Sequence, residues 1–193
     1  MDKPQIRLSG AWFILAALML LILPLRWILA SFLAAAVHEG CHWAALRACG
    51  VKINGISIEP AGAVLETEPM PPWKELLCAL AGPAGSFALL AAARWFPCTA
   101  ICGFVQGTFN SLPLYPSDGG RTLRSILILL GAGRADRIVR MVGWVVLAGL
   151  AALGVYSWLV LRLGILPVVV AGMLIWRTIP RKIPCKDGAL RVQ

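Results

Sequence analysis

Two histidines and a glutamate lie within five consecutive positions of one apolar stretch, as His38, Glu39 and His42. Residues four positions apart share one face of an α-helix, about one turn from each other, so both imidazoles can bind the same metal ion. The glutamate beside them is placed to reach a water on that ion rather than the ion itself. The H-E-x-x-H pattern therefore predicts a metal-dependent hydrolytic site in which Glu39 is the base.

A simpler interpretation is that the two histidines lie at the end of an ordinary helix, at a membrane interface, and bind nothing. The stretch from Ile28 to Leu46 is strongly apolar on both sides of the motif. An ionisable side chain within a bilayer is costly and usually marks a functional site. Three such residues so close together favour the metal site.

A catalytic zinc ion has three protein ligands and one position for water. His38 and His42 are the only histidines of the chain, so the third ligand must be a carboxylate or a thiolate. Of the nine acidic residues, only Glu39 and Asp118 lie within apolar runs. With Glu39 assigned as the base, Asp118 is the remaining carboxylate. Cys41 is the competing candidate, although its position one residue before His42 points it away from the histidine face.

Asp118 follows a segment that no regular helix can contain. The apolar stretch 98–130 carries Pro113 and Pro116 near its middle, and each proline removes a helical hydrogen bond and clashes with the preceding turn. The backbone is predicted to unwind between Asn110 and Asp118 and then to form a helix to about residue 130. Non-helical backbone at membrane depth is tolerated where it is buried in protein or lines a cavity. This segment is therefore predicted to form part of a site.

Such a ligand set predicts a strongly polarising metal ion. Two neutral imidazoles and one carboxylate leave a divalent ion with a net charge of about +1, which lowers the pKa of a bound water to ~7. Glu39 would take up the proton and later pass it to the leaving amine. Asn110 could bind the substrate backbone or stabilise the oxyanion; its alternative role is to cap the broken helix.

The composition is that of a membrane protein. Of the 193 residues, 59% are hydrophobic and only 14% are charged, whereas soluble domains carry about 25% charged residues. We predict an all-α polytopic membrane protein consisting of a single domain, residues 1–193, with a catalytic core at about 27–130 and no appended soluble regulatory domain. The net charge of +9 does not indicate nucleic-acid binding, because the basic residues alternate with the apolar spans.

Six transmembrane segments are predicted, the fourth of them broken: about 8–25, 27–47, 75–93, 98–130, 141–161 and 165–176. A cleaved signal peptide is the alternative for the first, but cleavage after Ala36 would destroy the metal helix. Residues 50–68 alternate in hydrophobicity around Pro60 and Gly62, which predicts a small β-hairpin at the membrane surface. An exposed edge of that hairpin could accept an extended peptide; an inert connector is the alternative.

The distribution of basic residues predicts the orientation. With six spans and both termini in the cytoplasm, only Arg26, Arg94 and Arg162 of the 18 lysines and arginines fall outside, in agreement with the positive-inside rule. The active site then lies toward the cytoplasmic side of a membrane of the bacterial type.

The paired motifs resemble those of the site-2 protease family of intramembrane zinc metalloproteases. The resemblance covers H-E-x-x-H, the G-V-K-I-x-x-I segment after it, A-G-P at 81–83, and the N-x-x-P-x-x-P-x-D-G-G-R segment at 110–121. Within the family, the chain is most similar to the bacterial sporulation type, which trims a membrane-tethered sigma-factor precursor. The resemblance implies one zinc ion per chain and the following roles: His38, His42 and Asp118 as zinc ligands, Glu39 as the catalytic residue, and Asn110 and Pro116 as substrate contacts.

Two positions depart from the family pattern. Ser117 replaces the usual leucine before Asp-Gly, and Ser86 replaces a frequent asparagine after A-G-P-x-x; neither serine is expected to contact a proposed ligand. Many relatives also append a regulatory domain. The expected partners are therefore a membrane-tethered or membrane-associated substrate protein, the lipid bilayer and a separate regulatory or inhibitory membrane protein, without nucleic acid.

Two other functions are compatible with such a sequence. A catalytically silent protein could use this fold to hold membrane clients, but it would need no base at Glu39. A metal transporter would need further ligands along its path, and no other histidine or intramembrane acid is present beyond those already named. The protease interpretation is therefore favoured.

Overall fold

The computed structural model describes residues 5–8, 21, 23–59, 62–162, 164–178 and 190–192, and these residues are mainly helical. Most of the predicted first span, residues 9–20, lies outside the described residues. The helices of the described part are α1 (Leu25–Ala48), α2 (Pro72–Ala88, continued by a 3-10 turn, Leu89–Ala92), α3 (Pro97–Ser111), α4 (Asp118–Leu129), α5 (Ala135–Leu159) and α6 (Leu166–Thr178).

The buried face of α1 is a stripe in which small residues precede the two histidines. Ala30, Ala34, His38, His42 and Leu46 recur every four positions, and all five are buried. Residues at this spacing lie along one side of a helix, and small side chains allow a neighbouring helix to approach closely. Helix α2 packs on α1. The sequence of α1 thus places both imidazoles inside the helical assembly.

Helix α2 is the centre of this assembly and packs against α1, α3 and α4. A Cβ atom on Gly85 would overlap Cys41 Sγ of α1, and one on Gly103 of α3 would lie 2.8 Å from the Ser86 carbonyl oxygen. The A-G-P-A-G-S segment at residues 81–86 thus packs closely against α1 and α3. Glycine is needed at both positions, because non-bonded carbon atoms pack at about 3.5–4.0 Å and an added Cβ atom would lie closer to its neighbours than that.

The broken helix has the predicted form. Helix α3 ends at Ser111 and α4 begins at Asp118, so residues 112–117 are non-helical, as the two prolines require. The start of α4 lies directly against the end of α3, since a Cβ atom on Gly119 would overlap the Ser111 carbonyl oxygen. The Ser117 hydroxyl donates to the Leu112 carbonyl oxygen at 3.0 Å. These contacts fix the position of Asp118 at the start of α4.

The four described strands form one sheet in the order β1 (Gln5–Leu8), β2 (Ile53–Glu59), β3 (Gly62–Thr67) and β4 (Leu190–Val192). Strands β2 and β3 pair antiparallel, β1 pairs parallel to β2, and β4 pairs antiparallel to β3. The edge predicted to be exposed is therefore covered at residues 55–58 of β2 and 65–67 of β3. Unpaired strand edges attract backbone partners, and here strands from the two ends of the chain occupy them.

Two helical stretches are long and apolar enough to cross a membrane. Within the part of the chain that the structure describes, they are Pro72–Ala92, with 21 residues and a mean hydropathy of 1.6, and Ala135–Leu159, with 25 residues and a mean hydropathy of 2.1. Large apolar side chains of the second stretch point outward, for example Val145, which is 72% exposed. A continuous outward apolar surface is typical of contact with lipid. The number of six spans stays a prediction.

Helix α5 begins earlier than the sequence predicts. The fifth span is predicted at about 141–161, but α5 starts at Ala135. Positive charge does not prevent helix formation, because long basic side chains extend along a helix and keep their charged ends in water. Arg137 and Arg140 are accordingly exposed on the first turns of α5.

Candidate metal centre

The side chains of His38, His42 and Asp118 converge in the interior. One Asp118 carboxylate oxygen, Oδ2, lies 3.1 Å from Nε2 of each histidine, and the two Nε2 atoms are 3.3 Å apart. All three residues are buried, with 2–3% exposure. The structure thus brings together the carboxylate and an imidazole pair whose second member lies 76 positions earlier in the chain.

These distances of 3.1–3.3 Å are close to the spacing of ligand atoms around a tetrahedral zinc ion. Nitrogen and oxygen ligands bind zinc at about 2.0–2.2 Å, so ligand atoms at the corners of a tetrahedron lie about 3.3–3.5 Å from one another. The three ligand atoms span one face of such a tetrahedron, which leaves a fourth position for water or substrate. Among the described residues, His38, His42 and Asp118 are the group whose ligand atoms, all within 4.8 Å of one another, could hold a metal ion.

The outer nitrogens of the two rings are held by neighbours on α2. His42 Nδ1 donates to the Cys78 carbonyl oxygen at 2.7 Å, and His38 Nδ1 lies 2.8 Å from the Ser86 hydroxyl oxygen. A carbonyl oxygen only accepts hydrogen bonds, so Nδ1 of His42 carries a hydrogen and Nε2 of the neutral ring presents a lone pair. Metal-binding histidines are oriented by contacts of this kind.

A metal cation suits this convergence. Nε2 of a neutral His42 and Oδ2 of an ionised Asp118 both present lone pairs toward the same point, and His38 Nε2 lies equally near. Lone pairs at such distances repel one another unless a positive charge lies between them. The donor set of two imidazoles and one carboxylate suits zinc. The residues present therefore fit the metal that the motif predicts.

The remaining predicted residues lie around this cluster. Glu39 is half-buried on α1, and its carboxylate acts electrostatically on the His42 ring. Asn110, at the end of α3, places its amide nitrogen 3.4 Å from His38 Nε2. Cys41 points elsewhere, toward Gly85, which removes it as the third ligand.

Pro116 is placed differently from the other predicted residues. It lines a cleft between the unwound segment and α6, together with neighbours from three parts of the chain: Phe109, Leu114, Ser117, Leu174 and Thr178. The two residues predicted to contact substrate are thus apart: Asn110, at the end of α3, lies beside the ligand cluster, and Pro116, on the unwound segment, lines the cleft.

Sequence reasoning missed three contacts of the centre. Ser86 was expected to contact no ligand, but its hydroxyl lies against His38; this expectation is wrong. Gly82 supports the His42 ring directly, since a Cβ atom there would overlap Nε2. Arg121 contacts Asp118. The one available signal was the spacing of Gly82 and Ser86, which lie four positions apart and therefore share a face of α2.

Replacing Ser86 with alanine is expected to weaken zinc binding by about 10-fold, because His38 loses the partner that fixes its ring. A competition titration with a chelating dye measures this affinity. Ser111→Ala is the matched control, since the Ser111 hydroxyl donates only to the Gly107 carbonyl oxygen of its own helix. Equal affinities of Ser86→Ala and the unmodified protein would show that Ser86 does not orient His38.

The helical arrangement is similar to that of a solved site-2 protease. The solved structure of the site-2 protease from Methanocaldococcus jannaschii matches this chain with a TM-score of 0.68 and 22% sequence identity, over 97% of both chains. At this identity the match shows the fold.

The curated relatives are named as zinc metalloproteases. Zinc metalloprotease MJ0392 from Methanocaldococcus jannaschii is 33% identical over 110 residues, which cover 50% of this chain and 32% of the relative. Putative zinc metalloprotease sll0528 from Synechocystis is 30% identical over 158 residues, 70% of this chain and 41% of the relative. The chain thus spans less than half the length of these relatives. No family model matches the chain.

Proposed function

We propose that the chain is an intramembrane zinc metalloendopeptidase of the site-2 protease family. The observation that carries this proposal is the convergence of His38, His42 and Asp118 at tetrahedral spacing, with Glu39 on the same helix turn. The similarity to zinc metalloproteases and the shared fold support it. The reaction would be hydrolysis of a peptide bond in or next to a membrane-associated segment of a substrate protein.

The ligand set would hold one Zn²⁺, which when bound supplies a Lewis acid that polarises water and the peptide carbonyl. Glu39 accepts a proton from the attacking water and delivers it to the leaving amine, as a positioned carboxylate does in general acid–base catalysis. Asn110 donates from its amide to the substrate carbonyl or to the developing oxyanion. The position of the Asn110 amide nitrogen, 3.4 Å from His38 Nε2, supports its role.

The burial pattern indicates the side from which substrate approaches. The ligands are 2–3% exposed, whereas Glu39 and Asn110 are only half-buried. A peptide and a water molecule therefore reach the centre past these two residues. Pro116 and its cleft would contact the extended part of the same peptide, since a helical substrate must unwind before its peptide bonds become accessible.

The cellular setting is proposed from the sequence. The protein would be integral to a bacterial-type membrane, with both termini and the active site on the cytoplasmic side, since this places nearly all basic residues inside. The substrate would be a membrane-tethered transcription-factor precursor, as in the sporulation type that the motifs resemble. A separate membrane protein would regulate access.

The test is hydrolysis of membrane-anchored reporters by the purified protein in lipid vesicles. The reporters carry a fluorescent protein joined to single membrane-spanning segments with varied helix-breaking residues. Cleavage is expected at a bond in or beside the segment, with loss on zinc chelation and recovery on adding Zn²⁺. Asp118→Ala is the inactive control. If no reporter is cut, or if cutting persists in Asp118→Ala, the protease assignment is wrong.

A further inference from the structure

Arg121 is a buried charge one turn after the proposed ligand Asp118. Its side chain is 3% exposed, and its Nη1 lies 3.8 Å from Asp118 Oδ1. Its Nε lies 3.6 Å from Glu75 Oε1 on α2. Burying a guanidinium is costly unless it is paired, so its place between two carboxylates calls for an explanation.

The two oxygens of Asp118 have different surroundings. Oδ2 faces both histidines at 3.1 Å, whereas Oδ1 faces the Arg121 guanidinium. A carboxylate can bind a metal through one oxygen or through both. Attraction between Oδ1 and a positive charge on the far side favours binding through Oδ2 alone.

Glu75 holds Arg121 in this position. Its second oxygen, Oε2, lies 3.4 Å from Arg124 Nη1, and Arg124 Nε donates to Asp136 Oδ1 of α5 at 2.7 Å. The chain of charges thus joins α2, α4 and α5. Its outer end is solvent-accessible, with Asp136 62% exposed. Exposed ion pairs contribute little to stability. The buried end beside Asp118 is the part that can act on the centre.

We propose that Arg121 is a positioning residue that keeps Oδ1 of Asp118 away from the metal. The proposal rests on the zinc site proposed above. With Oδ1 held, Asp118 contributes one ligand atom, and the fourth position stays available to water. The guanidinium also offsets part of the carboxylate charge, so that Asp118 neutralises the metal less and the metal remains a stronger Lewis acid.

The test compares Arg121→Gln with Arg124→Gln in the Co²⁺-loaded and Zn²⁺-loaded protein. Arg124 is the matched control, because it contacts Glu75 but lies a further turn from Asp118. In Arg121→Gln we expect one metal per chain, a weaker visible Co²⁺ absorption as the site changes from tetrahedral to five-coordinate, and a kcat lower by about 10–30-fold with little change in KM. Arg124→Gln is expected to keep the unmodified spectrum and kcat.

Two further variants keep the test decisive. Arg121→Lys retains a positive charge beside Oδ1 and is expected to recover most of the unmodified spectrum. Arg121→Met retains the apolar length of the side chain and replaces the glutamine variant if that one does not fold; the same changes in spectrum and kcat are expected.

The outcomes separate this inference from the proposed function. An unchanged Co²⁺ spectrum in Arg121→Gln or Arg121→Met, or equal changes in the Arg121 and Arg124 variants, would overturn the positioning role while leaving the metal site intact. If the unmodified protein binds neither Co²⁺ nor Zn²⁺, the proposed function itself fails, and the role of Arg121 fails with it.

Discussion

Replacing Glu39 with glutamine is expected to lower kcat for peptide hydrolysis by about 10²–10⁴-fold while one zinc ion per chain stays bound. Glutamine has nearly the same size and keeps a hydrogen-bonding side chain, but it cannot accept the proton of the attacking water. The three atoms that form the ligand cluster come from His38, His42 and Asp118. Metal binding should therefore be independent of the Glu39 carboxylate.

The position of Glu39 explains why its replacement should lower kcat with little effect on KM. It follows His38 directly on α1 and lies roughly 60° around the helix from His42, so it borders the ligand face without belonging to it. The side chain is half-buried, which leaves it accessible to water entering the centre. Substrate binding through the unwound segment involves other residues, and KM should change little.

The measurement is the cleavage rate of a membrane-anchored reporter, combined with the metal content of the same purified sample. Glu68→Gln is the matched control, since Glu68 is exposed and outside the centre; it should leave both quantities unchanged. Retention of more than a tenth of the activity in Glu39→Gln would place the base elsewhere. Loss of the metal would make Glu39 a ligand instead.

The candidate metal site could be predicted because its signals are local in the sequence. The spacing of His38 and His42 fixes their shared helix face, and the prolines at 113 and 116 fix the break before Asp118. A catalytic zinc ion then required a third protein ligand. Because so few acidic residues lie within apolar runs, Asp118 could be identified as that ligand. Proximity of Asp118 to the histidines followed from that requirement, and the structure shows it directly.

The supporting contacts could not be predicted because they depend on how helices approach one another. Ser86 and Gly82 are residue types that serve ordinary helix packing, and their contacts with His38 and His42 exist only once α2 lies on α1. The pairing of the outer strands of the sheet could not be predicted either. Its outer strands β1 and β4 come from opposite ends of the chain, and such distant pairing leaves no local periodicity to detect.

Replacing Gly82 with alanine is expected to lower zinc affinity by about 100-fold or more and to abolish hydrolysis with it. An added Cβ would overlap His42 Nε2 and lie 2.5 Å from Cε1. The ring cannot move away freely, because its Nδ1 is bonded to the Cys78 carbonyl oxygen. A displacement of a reacting or ligating group by about 1 Å can cost 10²-fold. The added methyl group would therefore displace the His42 ring from the position in which it can bind the metal.

The same substitution should leave the fold intact, so the loss of zinc affinity and hydrolysis would be specific to the metal centre. Alanine is favoured over glycine within a helix by roughly 0.5–1 kcal/mol, so α2 gains intrinsic stability even as His42 is displaced. Gly40→Ala is the matched control, because a Cβ atom on Gly40 has nothing within 4 Å although it lies inside the H-E-x-x-H motif. Gly40→Ala should keep normal zinc affinity and activity. Normal zinc affinity in Gly82→Ala would mean that α2 does not press on the His42 ring, and the packing that positions the centre would have to be reassigned.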